Sequence, residues 1–133
     1  LLAGHRSNAT VAVWLAAVRF GRPGLCAPGG IYVSASLKEE FGLAILEALA
    51  SGLVVVAPNG GGPATYVEDG VTGVLADTAV PAALAGAVAS ALDLARSPDA
   101  EARAERAQRL VAERYGIETM AAALATIYEE VAR

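Results

Sequence analysis

A pair of acidic residues stands beside a glycine in the segment SLKEEFGLAILE. Glu39 and Glu40 come directly before Phe41 and Gly42, and the apolar run that follows predicts a helix. The first N–H groups of a helix have no partner within it, and a glycine lets a ligand approach them closely. This combination suits an anion such as a phosphate. The alternative is that the two acids only stabilise the positive end of the helix, by about 0.3–1 kcal/mol each.

A third carboxylate, Glu47, follows on the same predicted helix. It shares one face with apolar side chains at the spacing i, i+3, i+4, i+7, namely Leu43, Leu46 and Ala50. Because burial of an unpaired carboxylate is costly, a buried acid without a nearby basic partner is typical of a ligand-binding role. We therefore predict that Glu47 lies on the buried face and serves a ligand. The alternative, that Glu47 lies at the edge of the stripe and reaches water, stays open.

The segments on either side of this helix predict strands. Gly30–Ser34 is a short β-rich run, and Leu53–Ala57 is a continuous apolar run. Such runs, separated by a helix, are typical of parallel strands buried on both faces, so residues 30–57 are predicted to form a βαβ unit. Ligands of these units bind outside the carboxyl ends of the strands. The loop with Glu39–Gly42 and the loop Asn59–Gly62 are therefore expected to open at the same end of the sheet.

The second of these loops is rich in glycine. Gly60, Gly61 and Gly62 come directly before Pro63, which suits the first turn of a helix. A glycine run of this kind needs either unusual φ angles or a close backbone approach. The residues leave two alternatives open, a loop that shapes a ligand pocket and a tight turn between a strand and a helix.

Taken in order, these motifs resemble a known family. The segments KEEFGLAILEALASG, VVVAPNGGGPA and EDGVTGVL resemble the C-terminal, donor-binding domain of retaining GT-B glycosyltransferases. The nearest group is the family 4-like one that includes sucrose synthase and sucrose-phosphate synthase. The resemblance is strong over residues 30–76 and weak over residues 77–133. Two positions depart from the family pattern: Glu40, where proline is common, and Thr65-Tyr66, where many members have a glutamate.

The resemblance implies a reaction and assigns roles to two carboxylates. A sugar would move from a nucleoside diphosphate sugar to an acceptor hydroxyl, with retention at the anomeric carbon. Glu47 would accept hydrogen bonds from the ribose hydroxyls of the nucleotide. Such bonds are strong because the carboxylate is charged. Glu39 would contact hydroxyls of the transferred sugar and is the catalytic candidate. No cofactor and no metal are implied.

The other donor-binding candidates supply backbone rather than side chains. The resemblance implies that free N–H groups at the start of the helix hold the diphosphate and that the glycine loop shapes the sugar pocket. These candidates are Phe41, Gly42, Leu43, Gly61 and Gly62.

The implied fold is α/β, with a Rossmann-like parallel sheet and a helical C-terminal tail. Residues 1–133 would be a partial nucleotide-sugar-binding domain, with a core at 1–76 and C-terminal helices at 80–133. Periodicity and cap residues predict a strand at Leu1–Ala3 and helices at Thr10–Phe20, Pro81–Ala95, Ala100–Arg114 and Glu118–Ala132. Asp77 or Thr78 is expected near the cap of the helix at Pro81–Ala95. The N-terminal acceptor domain of a GT-B enzyme is missing, so we expect a fragment that is inactive alone.

Composition and charge restrict the class of protein and the partners to expect. A chain of 133 residues permits one domain, and its net charge of −4 argues against a nucleic-acid partner. No apolar run approaches the ~20 residues of a membrane span. The single cysteine and the lack of a signal peptide predict a cytoplasmic location.

Trp14 is predicted in the core, and Arg19 and Arg22 are the most plausible cations near the βαβ unit. The donor's base and sugar, the acceptor and the oligomeric state stay open.

A second function class also stays open. The chain could be a non-catalytic nucleotide-binding or structural module that kept the fold of the donor-binding domain.

Overall fold

The computed structural model describes residues 4–132, in which helices and strands alternate as far as residue 95 and two further helices follow. The elements, in chain order, are α1 (Asn8–Phe20), β1 (Tyr32–Val33), α2 (Leu43–Ala50), β2 (Val55–Pro58), a 3₁₀ helix (Gly62–Thr65), β3 (Gly73–Ala76), α3 (Pro81–Ala95), α4 (Ala100–Tyr115) and α5 (Ile117–Val131). The strand predicted at Leu1–Ala3 lies outside the described residues.

The strands form a parallel sheet in the order β1-β2-β3. In this register Tyr32 lies opposite Val55, and Val56 lies opposite Val74. Every residue of the central strand β2 is buried, as expected for a parallel strand covered on both faces. The predicted α/β fold with a Rossmann-like parallel sheet is confirmed. Strand β1 is shorter than its predicted run, Gly30–Ser34, and β2 is shifted towards the C-terminus relative to its predicted run, Leu53–Ala57.

Helices cover both faces of the sheet, because successive side chains of β2 point to opposite sides. Val56 faces α3, in a cluster completed by Val54, Ala76, Ala87 and Ala91. Val55 faces α2 and α4, in a larger cluster completed by Ile45, Leu46, Ala48, Leu49, Leu53, Ala57, Tyr66, Val67 and Ala107. The packing of α2 and α4 on one face therefore fixes the start of α2, where the predicted site lies.

Two helices lie at the outside of this core. Leu15 and Val18 of α1 pack against the larger cluster, but Trp14 is 43% exposed because it lies beside that stripe. The prediction that Trp14 belongs to the core is therefore wrong. No residue described in α5 is buried, and its exposed apolar side chains include Ile117, Met120, Leu124, Ile127 and Val131. None of the helices within residues 4–132 is both long and apolar enough to cross a membrane.

The helix boundaries agree closely with the sequence, with one difference near α3. The cap position is Val80, whereas the sequence pointed to Asp77 or Thr78. The Asp77 carboxylate instead accepts a hydrogen bond from the Ala79 N–H at 3.0 Å. The Thr78 hydroxyl donates to the carbonyl of Ser36 at 2.7 Å, which ties the end of β3 to the loop that follows β1.

Candidate functional site

Two loops meet beyond the carboxyl ends of β1 and β2. We call residues 34–42 the acidic loop and residues 59–62 the glycine loop. The Gly62 N–H donates to the carbonyl oxygen of Glu39 at 3.1 Å, so the two loops are hydrogen-bonded to each other. The prediction that both open at the same end of the sheet is confirmed.

Glycine is required where the two loops touch. Gly61 has φ +76°, and a Cβ built there would collide with the Glu39 carbonyl oxygen. A Cβ at Gly62 would come within 2.6 Å of the Cα of Phe41. The run therefore serves the close backbone approach that its composition predicts. Its role in shaping a sugar pocket stays a prediction.

The start of α2 presents free backbone donors. Gly42 occupies the cap position in a left-handed conformation, with φ +86° and ψ +56°. Within residues 4–132, the N–H groups of Phe41, Gly42 and Leu43 donate to no protein acceptor. Unpaired N–H groups and the helix dipole together give this end of α2 a partial positive charge.

Glu47 does not lie on the buried face of α2. The buried side chains are Ile45, Leu46, Ala48 and Leu49, whereas Leu43 is 68% exposed and Glu47 is exposed. The prediction of a buried Glu47 is wrong, and the alternative of an exposed carboxylate holds. The reason is that the sheet and α4 cover a face centred about one residue away from the predicted stripe. The carboxylate is thus available to a ligand without a desolvation cost in the free chain.

Both candidate carboxylates lack a partner inside the described part of the chain. Glu39 is half-buried, and within residues 4–132 neither Glu39 nor Glu47 forms an ion pair or accepts a side-chain hydrogen bond. Glu40 differs, because its carboxylate pairs with Lys38 at 2.6 Å on the surface. Burial raises the pKa of Tyr32, and the charges of Glu39 and Glu47 raise it further. Both carboxylates are therefore close enough to this phenol to act on it electrostatically.

An aromatic cluster supports the acidic loop, and the sequence did not predict it. The rings of Phe41, Tyr66 and Tyr115 meet edge to face, with centroid separations of 6.2, 5.8 and 5.7 Å. Tyr66 is 2% exposed, and its hydroxyl donates to the Phe41 carbonyl at 2.6 Å. The one signal in the sequence was the departure from the family pattern at Thr65-Tyr66.

Of the two predicted cations, Arg19 lies at the other end of the sheet, and Arg22 is exposed. Arg19 donates to the Ser51 carbonyl at 3.3 Å and pairs with Glu101 at 2.8 Å. It lines a cavity of about 350 Å³ together with Arg96 and the residues that precede β1 and β2. Ligands of parallel α/β sheets bind at the carboxyl ends of the strands, and the free N–H groups lie there too. We therefore take the two loops, rather than this cavity, as the candidate site.

The arrangement can bind a ligand that carries both anionic and hydroxyl groups. Free N–H groups can donate to phosphate oxygens, and free carboxylates can accept from hydroxyls. A parallel α/β sheet with these loops at the carboxyl ends of its strands defines a Rossmann-like domain, with its candidate ligand site at that end of the sheet.

Comparison with known proteins identifies the family. The family model for glycosyl transferases group 1 matches residues 29–111. The chain is 41% identical over 98 residues to a D-inositol 3-phosphate glycosyltransferase of Streptomyces scabiei. The matched region covers 74% of this chain and 21% of the relative. The chain is 40% identical over 100 residues to a sucrose synthase of Acidithiobacillus caldus, covering 74% of this chain and 13% of the relative. This chain belongs to the group 1 glycosyl transferases, which confirms the resemblance found in the sequence.

The matched region is a small part of each relative. The chain covers 21% or less of the length of these two relatives. Residues 29–111 include both loops, α2 and most of α4, so the candidate site lies wholly within the region that matches the family.

Proposed function

We propose that this chain is the donor-binding region of a retaining glycosyltransferase. The whole protein would transfer a sugar from a nucleoside diphosphate sugar to an acceptor hydroxyl. The observation that carries this proposal is the set of free groups at the start of α2. Within residues 4–132, N–H groups without an acceptor lie between two carboxylates without an ion-pair partner, Glu39 and Glu47, in the segment that matches the family.

The proposed roles follow from the chemistry of these groups. The N–H groups of Phe41, Gly42 and Leu43 hold the diphosphate, since they are the electropositive groups of the site. The carboxylate of Glu47 accepts from the ribose diol, which two oxygen atoms suit well. This division explains why acidic side chains can stand beside an anionic ligand, because they address its hydroxyl groups.

The sugar end of the donor is assigned to the acidic loop and the glycine loop. Glu39 accepts from hydroxyls of the transferred sugar and is the catalytic candidate. Gly61 and Gly62 bound the sugar pocket, since their backbone packs directly on Glu39. In the reaction the bond from the anomeric carbon to the phosphate oxygen breaks, and its electron pair leaves with the nucleoside diphosphate. The acceptor oxygen forms the new bond to the anomeric carbon, and its proton goes to an oxygen of the departing nucleoside diphosphate.

The names of the relatives support a sugar-transfer function. One is a D-inositol 3-phosphate glycosyltransferase and the other a sucrose synthase. The acceptors that these names imply differ, so they do not select an acceptor for this protein. Both names describe enzymes that act on sugars, and we propose the N-terminal part of the full-length protein as the region that binds the acceptor.

Calorimetric titration tests the donor-binding role. The chain is titrated with UDP, GDP and ADP, and then with the corresponding glucose conjugates. We expect saturable binding of one nucleotide, with weak affinity of ~1 mM, which corresponds to about −4 kcal/mol. Binding of none of the three at several times that concentration would contradict the proposal. Nucleotide binding by a full-length protein that transfers no sugar to any acceptor would favour the non-catalytic module.

A further inference from the structure

Tyr66 fixes the peptide group that leads into α2. Its side chain is 2% exposed, and its hydroxyl donates to the Phe41 carbonyl at 2.6 Å, with the Gly42 carbonyl at 3.2 Å. A phenol carries one hydrogen, so the shorter contact to Phe41 is the principal bond. Two successive carbonyl oxygens of the acidic loop therefore face the same buried hydroxyl.

The direction of these carbonyls determines the direction of the free donors. A peptide group is planar and trans, so its C=O and the N–H of the next residue point in opposite directions. With the Phe41 carbonyl held against Tyr66, the Gly42 N–H points away from the core. The Gly42 carbonyl accepts from the N–H groups of Ile45 and Leu46 at 3.0 and 3.1 Å, so the Leu43 N–H also points outward from the start of the helix.

The contact between Tyr66 and the acidic loop requires a glycine at position 42. Gly42 has φ +86°, and a Cβ built there would lie 2.7 Å from the Tyr66 hydroxyl oxygen. The rings of Phe41 and Tyr115 pack against the Tyr66 ring at 6.2 and 5.7 Å. Since Tyr115 is the last residue of α4, the acidic loop is held between α4 and the segment that follows the glycine loop.

We propose that Tyr66 is a positioning residue, whose hydroxyl holds the Phe41 carbonyl and so aims the Gly42 N–H group at the diphosphate of the donor. This inference rests on the proposed function. It adds a residue that touches no ligand but orients a group that does. It also gives a physical role to one of the positions at which this chain departs from the family pattern.

The hydroxyl can donate at any physiological pH. Burial raises the pKa of Tyr66 to about 12, and the charge of Glu39 and the neighbouring phenols of Tyr115 and Tyr32 act in the same direction. The proton that makes the bond to Phe41 is therefore retained.

Replacing Tyr66 by phenylalanine tests the proposal, with Tyr115→Phe as the matched control. Both variants keep the three-ring cluster, but only Tyr66→Phe removes a hydroxyl bonded to the acidic loop. The residual dipolar coupling of the Gly42 N–H reports its orientation in the ligand-free chain. The Leu43 N–H, whose peptide group is held by the helix bonds to Ile45 and Leu46, is the internal reference. Titration with UDP, GDP and ADP reports affinity. In Tyr66→Phe we expect an altered Gly42 coupling and an affinity loss of about three- to tenfold, with both quantities unchanged in Tyr115→Phe.

Each other outcome has a defined meaning. An unchanged Gly42 coupling in Tyr66→Phe, or an altered coupling with undiminished affinity, would overturn the positioning role while the proposed function stands. Failure of the wild-type chain to bind any of the three nucleotides would overturn the proposed function first, and the positioning role with it. If Tyr66→Phe does not fold, the Gly42 coupling of the wild-type chain is compared with the direction that the bond from Tyr66 to the Phe41 carbonyl imposes. Agreement supports the positioning role, and disagreement overturns it.

Discussion

At the residue scale, the site consists of carboxylates with different surroundings. Glu40 is paired with Lys38 at the surface, whereas Glu39 and Glu47 are unpaired within residues 4–132. A carboxylate without a protein partner is free to accept hydrogen bonds from a ligand. The three residues therefore offer a comparison in which the charge is the same and the pairing differs.

Neutralising these carboxylates one at a time separates their roles. Glu47→Gln should weaken nucleoside diphosphate binding by about 1–3 kcal/mol, because a charge-assisted bond to ribose is lost. Its thermal stability should be unchanged, because Glu47 is exposed. Glu39→Gln should weaken binding of the nucleotide-sugar more than binding of the bare diphosphate. Calorimetric titration of both ligands measures these losses.

The control is Glu40→Gln, which removes an exposed charge from the same loop. Its affinity for both ligands should stay close to that of the wild-type chain. Equal affinity in Glu47→Gln and the wild type would exclude the ribose role, and equal losses for the two ligands in Glu39→Gln would exclude the sugar role.

The buried phenol of Tyr66 predicts a pH dependence of stability. Its pKa is raised to about 12 in the folded chain, against about 10 for an unfolded tyrosine. Between these values the folded chain keeps a proton that the unfolded chain has lost, so the free energy of unfolding falls as pH rises. Below about pH 10 this contribution is fully present.

Urea unfolding measured between about pH 9 and about pH 11.5 tests this dependence. Tyr66→Phe should show a shallower fall than the wild-type chain over this range. Tyr128→Phe, which removes a phenol that is 71% exposed, should follow the wild type. A fall of the same slope in all three proteins would show that Tyr66 does not keep its proton.

At the element scale, the order of helices and strands follows from sequence pattern, whereas the buried face of α2 does not. Continuous apolar runs and cap residues predict where β2 and α3 lie. The face of α2 is set by what packs on it, and the packing of α4 against Ile45 and Leu49 is a long-range contact. An eight-residue helix with apolar residues on most sides fits more than one stripe, so periodicity misplaced Glu47.

The location of the candidate site was predictable from the sequence, whereas the contacts that support it were not. The sequence predicted that one end of the sheet carries Glu39, Gly42, Glu47 and the glycine loop. The structure places these residues at the carboxyl end of the sheet. The aromatic cluster was not predictable, because Phe41, Tyr66 and Tyr115 are far apart in sequence and belong to three different elements. Helical spacing carries no information about such contacts.

The glycine loop predicts a clear difference between adjacent positions. Gly61→Ala should destabilise the chain by about 1–3 kcal/mol, because φ is +76° and the added Cβ would meet the Glu39 carbonyl. Gly60→Ala is the matched control, since a Cβ there has open space around it. Urea denaturation gives both free energies of unfolding. A Gly61→Ala variant as stable as Gly60→Ala would show that the loops are not packed together.

At the scale of the whole molecule, we expect the proposed reaction to need more protein than residues 4–132. The proposed donor site lies at the open, carboxyl end of the sheet, and the chain covers 21% of the length of the D-inositol 3-phosphate glycosyltransferase it matches. Glycosyl transfer needs the donor and acceptor to be oriented together with water excluded. One domain with an open edge leaves the anomeric carbon of the donor exposed to solvent.

We therefore expect the 133-residue chain to bind nucleotide but to transfer no sugar. The full-length protein should form product from labelled nucleotide-sugar and a panel of acceptors. The same assay applied to the purified chain should give no turnover. Multiple turnovers by the chain alone would show that the two-domain requirement is wrong.

The most direct test of the central claim is where a nucleotide binds on this chain. Titration of the ¹⁵N-labelled chain with UDP, GDP and ADP, followed by NMR, locates the bound ligand residue by residue. We predict that one nucleotide shifts the amide signals of Phe41, Gly42 and Leu43 most strongly, while Gly29 and Gly52 at the opposite cavity stay unchanged. Saturable shifts confined to that cavity, or no shifts with any of the three nucleotides, would contradict a donor site at the start of α2.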